Sequence, residues 1–106
     1  MPRYLWQASY TTDGVKGVLK EGGSARRAAI SQLAESLGGK VEAFYYAFGD
    51  HDVYVIAEAP DNATAASISL AVAASGAARI KTVALLTPEE IDLATKASVP
   101  YRPPGA

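Results

Sequence analysis

Between Arg3 and Tyr10 the chain alternates strictly, with Tyr4, Trp6, Ala8 and Tyr10 on one side and Leu5, Gln7 and Ser9 on the other. A period of two carried by aromatics predicts a strand. Thr11-Thr12-Asp13-Gly14 are turn formers, and Val15, Val18 and Leu19 fit one helical turn closed by Gly22-Gly23, so this stretch reads as an ordered loop with a short helix. Ser24 is then the expected cap of a longer helix, whose stripe Ile30, Leu33, Ala34 and Leu37 runs to Gly38-Gly39. Residues 41–48 and 53–59 read as two strands around Gly49-Asp50-His51-Asp52, a small and acidic turn that predicts an antiparallel hairpin. Pro60-Asp61-Asn62 stops the second of them and caps a helix over 63–75, with Ala65, Ile68 and Val72 on one face and Gly76 at its end. A fourth strand is predicted over 79–87. Thr87-Pro88-Glu89-Glu90 opens a short last helix, with a threonine cap, proline at the first position and two acids at the positive end of the dipole.

The order βαββαβ plus an appendage predicts an α+β, ferredoxin-like domain over residues 1–97, with a four-stranded antiparallel sheet and both main helices on one face, followed by a proline-rich tail over 98–106. With an even-numbered hairpin turn, Phe44, Tyr46 and Phe48 share the core face with Val53, Val55 and Ala57. Tyr45 and Ala47 share the other face with Asp52, Tyr54, Ile56 and Glu58. Two helices cannot cover both sides of such a sheet. The mixed face is expected to pack on a second copy, as a homodimer with facing sheets.

Composition changes the picture mainly by exclusion. Ten Lys and Arg against eleven Asp and Glu leave a net charge of −1, with no basic excess to bind a phosphate backbone. No cysteine is present, which removes disulfides, thiolate metal sites and a cysteine nucleophile. Met1-Pro2-Arg3-Tyr4-Leu5-Trp6-Gln7 holds no apolar leader core, and no run approaches a membrane span, so a cytoplasmic protein is expected. Gly38-Gly39 follows a helix rather than opening one after a strand, the wrong polarity for a nucleotide loop. Neither cofactor nor metal is expected.

Five residues carry what chemistry there is. His51 is the sole histidine, the side-chain type suited to acid–base work near neutrality, so it is the candidate for proton transfer, with Asp52 placed to orient it; an ordinary turn role is the competing account. Arg26 stands one turn before Ile30 on an apolar stripe, where its guanidinium can hold a carboxylate or simply reach water. Tyr45 and Tyr54 are candidates to bind a flat organic ligand, whereas Trp6 and Tyr46 read as core. Arg79 and Lys81 share one face of the last strand, where they meet Glu42 or Glu58 or line a cavity mouth if that is the dimer side, and serve solubility if it is solvent.

The run Gly38-Gly39-Lys40, Phe44-Tyr45, Gly49-Asp50-His51-Asp52-Val53 and Ala59-Pro60-Asp61-Asn62 resembles the GYD domain family, and the likeness extends from Tyr10-Thr11-Thr12-Asp13-Gly14 to Gly76 and Thr82. Gly49 and Asp52 match the ends of that family's Gly-Tyr-Asp signature, with Asp50 inserted and His51 in place of the tyrosine. The resemblance implies a ferredoxin-like subunit of the dimeric α+β barrel group and carries over no catalytic residue. Enzymes of that group suggest binding of a hydrophobic or aromatic small molecule, with or without cofactor-independent catalysis. A non-catalytic oligomerisation or regulatory module is the alternative.

Overall fold

The computed structural model describes residues 1–106, and β1 (Arg3–Tyr10) is the spine of its sheet. Its neighbours are β3 (Val53–Glu58) and β4 (Ala78–Leu85), and β2 (Lys40–Tyr46) pairs on the far edge of β3. The order β2-β3-β1-β4 is antiparallel throughout and is the ferredoxin-like arrangement. Four helices complete the chain: α1 (Thr12–Glu21), α2 (Gly23–Ser36), α3 (Asn62–Ala74) and α4 (Pro88–Lys96).

Alternation decides what is buried. Tyr4, Trp6 and Ala8 from β1 and Val53, Val55 and Ala57 from β3 form the core with Ala59, Ala65 and Ala78, and Ile30, Ile68 and Val72 of the helices pack onto them. Tyr46 pairs with Val53 and Phe44 with Val55, so the hairpin parity holds. A bulge at Glu42, between Val41 and Ala43, then brings Val41 onto the core face opposite Ala57. Side-chain bonds fasten α3 to the sheet: Trp6 Nε1 donates to Ser69 Oγ at 3.2 Å, Ser69 and Thr82 share a hydroxyl contact, and Tyr4 Oη donates to Asn62 Oδ1.

The structure departs from the sequence expectations at several points. The first helix is ten residues rather than one turn, because Thr11 caps it through Gly14 N–H and Asp13 complements its positive end. Ser24 lies inside the first turn of α2, and the cap position belongs to Gly22, whose φ of 86° only glycine adopts easily. Phe48 is fully exposed rather than core. The ladder ends at Tyr46 and the bond from Ala47 N–H to Asp52 O closes a longer loop, from which Phe48 swings into solvent. Glu42 and Glu58 pair with Arg3, at 2.7 and 3.5 Å, rather than with Arg79 or Lys81, since β4 lies beyond β1 from both acids.

The radius of gyration is 16.9 Å. A compact chain of this length is expected near ~13 Å. The excess comes from the C-terminal part, in which every residue from Pro88 to Ala106 is exposed. Thr87 caps α4 as the sequence predicts, and the Glu90 side chain completes a capping box with it. No helix is long and apolar enough to cross a membrane.

Candidate functional site

α2 leans on β2 and α3 on β4, and between them the central strands are left with a cleft of about 320 Å3. Trp6, Ala8, Val53, Val55 and Ala57 make its floor. Ile30, Leu33 and Leu37 form the wall on α2, and Ile68, Ala71 and Val72 the wall on α3. The lining is overwhelmingly apolar because floor and walls are the inward stripes of strand and helix periodicity. Small residues leave the space open: alanines at 8, 57 and 71 stand where larger side chains would fill it.

The few polar lining residues include Glu58, Thr64 and Ser75, and at one end the only cation, Arg26, stands beside Tyr10. Arg26 and Tyr10 both line the cleft there, and Tyr46 closes the rim, donating from its hydroxyl to Gly23 O at 3.2 Å. That approach requires glycine, since a Cβ at position 23 would stand 2.9 Å from the Tyr46 ring. Burial holds the Tyr10 phenol above its ordinary pKa and Tyr46 beside it adds to the rise, while the Arg26 guanidinium pulls the other way. Tyr10 therefore stays a neutral hydrogen-bond donor at physiological pH. Arg26 sits in the second turn of α2, where the helix dipole gives a cation no support, and its ion-pair partner is Glu21 at 3.8 Å.

The other candidates lie elsewhere. His51 is half-buried at the hairpin, with Nδ1 3.4 Å from Ser9 Oγ and its ring edge-on to Tyr54 at 5.9 Å between centroids. Asp52 Oδ2 accepts from Tyr10 N–H at 2.8 Å, and its own N–H donates to Ala8 O, so it ties the loop to the end of β1. Tyr45, opposite Tyr54 in the register, is 71% exposed. These side chains belong to the face of the sheet away from the helices, and the structure does not bring them together with Arg26. Three metal-ligating side chains converge nowhere.

Sequence reasoning found Arg26 and missed its neighbours. Tyr10 was legible, because it falls on the Trp6 and Ala8 side of β1. Tyr46 was assigned to the core and is instead at the rim, 38% exposed, because β2 is an edge strand. On the open face, Ala43, Ile56, Leu5 and Val83 stand abreast across all four strands as an apolar row. The row Tyr45, Tyr54, Gln7 and Lys81 lies next to it.

An antiparallel sheet in this order, with α2 and α3 on one face and the other uncovered, defines a ferredoxin-like α+β protein. The chain belongs to the GYD domain family, whose family model matches residues 4–94. No curated protein and no solved structure matches it.

Proposed function

We propose that this GYD-domain protein binds a flat, apolar small molecule carrying one carboxylate or enolate in the cleft between α2, α3 and the sheet, and works in the cytoplasm as a homodimer. The observation that carries the reading is a mostly apolar cavity of about 320 Å3 whose lining includes a single cation, Arg26, and the Tyr10 phenol. Such a volume and such a division of lining are those of small-molecule sites. The body of the ligand rests on Trp6 and the aliphatic walls, and its anion meets the guanidinium in a charge-assisted bond. Nothing in this arrangement calls for a metal or an organic cofactor.

Removal of that bond costs roughly 1.5–3 kcal/mol, so Arg26→Ala weakens an aromatic carboxylate by one to two orders of magnitude. A thermal-shift screen of aromatic acids against wild type and Arg26→Ala tests it. Stabilisation of the wild type alone is the expected result, and an equal response of both proteins overturns the reading.

The open face supports a second role, self-association, through the apolar row of Ala43, Ile56, Leu5 and Val83. On that face we assign Tyr45 and Tyr54 to the seam between two copies or to a ligand held there. His51, positioned through the Asp52-bonded loop, is the group for any proton transfer. If the cleft proves unliganded, a non-catalytic oligomerisation or regulatory module is what remains.

A further inference from the structure

Three elements meet at the Arg26 end of the cleft: the last residue of α1, the start of α2, and the end of β2. Glu21 closes α1 and Arg26 follows five residues later, with Gly22 and Gly23 between them. The positive φ of Gly22 turns the chain sharply, so that the Glu21 carboxylate comes back to 3.8 Å from the Arg26 guanidinium. No other carboxylate pairs with Arg26.

Several features make this pair exchangeable. Its separation is well beyond the 2.7–2.9 Å of a charge-assisted hydrogen bond. The Glu21 side chain is half exposed and loses little hydration by being there. An acid at the C-terminal end of a helix is disfavoured by the dipole, so α1 itself does not favour the carboxylate at this place. Two glycines beside it leave room to swing outward. Arg26, by contrast, lines the cleft, is less exposed than Glu21 and has its guanidinium beside the Tyr10 phenol.

We propose that Glu21 is the built-in counter-ion of the cleft, and that a ligand carboxylate takes Arg26 by displacing it. The proposal rests on the cleft being a small-molecule site. Glu21 then acts as a selectivity element. A neutral apolar molecule gains nothing from Arg26 and leaves the pair in place, whereas a monocarboxylate whose rings are already seated between α2 and α3 competes at high local concentration. The cost of releasing Glu21 is that of an exposed ion pair, small enough for a seated anion to exceed.

Calorimetric titration of the full chain with 2-naphthoate and with the neutral 2-naphthylmethanol separates the possibilities, and fluorescence of Trp6, the single tryptophan, reports whether the cleft is occupied. Glu21→Gln is expected to tighten naphthoate binding about three- to fivefold and leave naphthylmethanol unchanged. Arg26→Ala in the same chain abolishes that gain. Glu35→Gln, which removes a charge at the far end of α2, is expected to do nothing. If both probes bind and Glu21→Gln leaves naphthoate unaltered, or if Glu35→Gln produces the same gain, the counter-ion role is overturned while the cleft stands as a binding site. Failure of both probes to bind any variant overturns the cleft reading and the role of Glu21 with it.

Discussion

Gly14 shows how much one missing side chain decides. It is buried in the first turn of α1, and a Cβ built there would lie 2.0 Å from the Ala77 carbonyl oxygen and 3.0 Å from the Tyr10 ring. Thr11 locks the same junction, its N–H and hydroxyl donating to the carbonyls of Ala77 and Gly76. Because the obstacle is backbone in the turn that leads into β4, Gly14→Ala should destabilise by roughly 2 kcal/mol or more, read by chemical denaturation. Unchanged stability would show that α1 can lift away from β4. His51 predicts the opposite: with one ring contact and one long polar contact, His51→Tyr should change stability by less than about 1 kcal/mol. A loss well above 2 kcal/mol in the same assay would mean that the imidazole is an anchor of the loop. Gly14 was visible in the sequence only as a turn former, since the backbone turn at Ala77 that crowds it lies more than sixty residues away.

Among the elements, the starts of α3 and α4 were read correctly because their capping chemistry is local. Asp61 accepts from Thr64 N–H at 2.8 Å and Glu90 closes the capping box, and these backbone bonds hold both carboxyls below their ordinary pKa. A depressed carboxyl contributes stability above its unfolded pKa, near ~4, which is lost as pH falls through the lower folded value. Asp61→Asn keeps a capping oxygen without the charge, so its melting temperature should fall less than that of wild type between pH 5 and pH 2. Parallel curves would remove Asp61 from the acid response. α1 escaped such reading: Val15, Val18 and Leu19 were noticed, but glycines at 14 and 17 hid a helix that its junction with Ala77 sustains. Phe48 misled because alternation continues past the point where the ladder ends, and only hydrogen bonding marks that point.

At the scale of the whole molecule, a sheet covered on one face only predicts self-association. Light scattering at micromolar concentration should give a particle of at least twice the 11.0 kDa chain. Ile56→Glu, in the middle of the open apolar row, should shift it toward one chain without disturbing the helix face. A wild-type particle of 11.0 kDa would leave the open face a simple solvent surface. The sequence by itself determined the identity and order of the strands, the two-faced character of the sheet and the position of Arg26 on an apolar stripe, because each follows from periods of 2 and 3.6 within one segment. Tertiary structure decided the rest. Whether α2 and α3 meet or stand apart depends on the summed volumes of side chains from four elements, and so does the cleft. The meeting of Glu21, Arg26, Tyr10 and Tyr46 depends on a chain reversal at Gly22 and on the edge position of β2. Neither has a local period to announce it, because the contacts that define them join residues far apart in the chain.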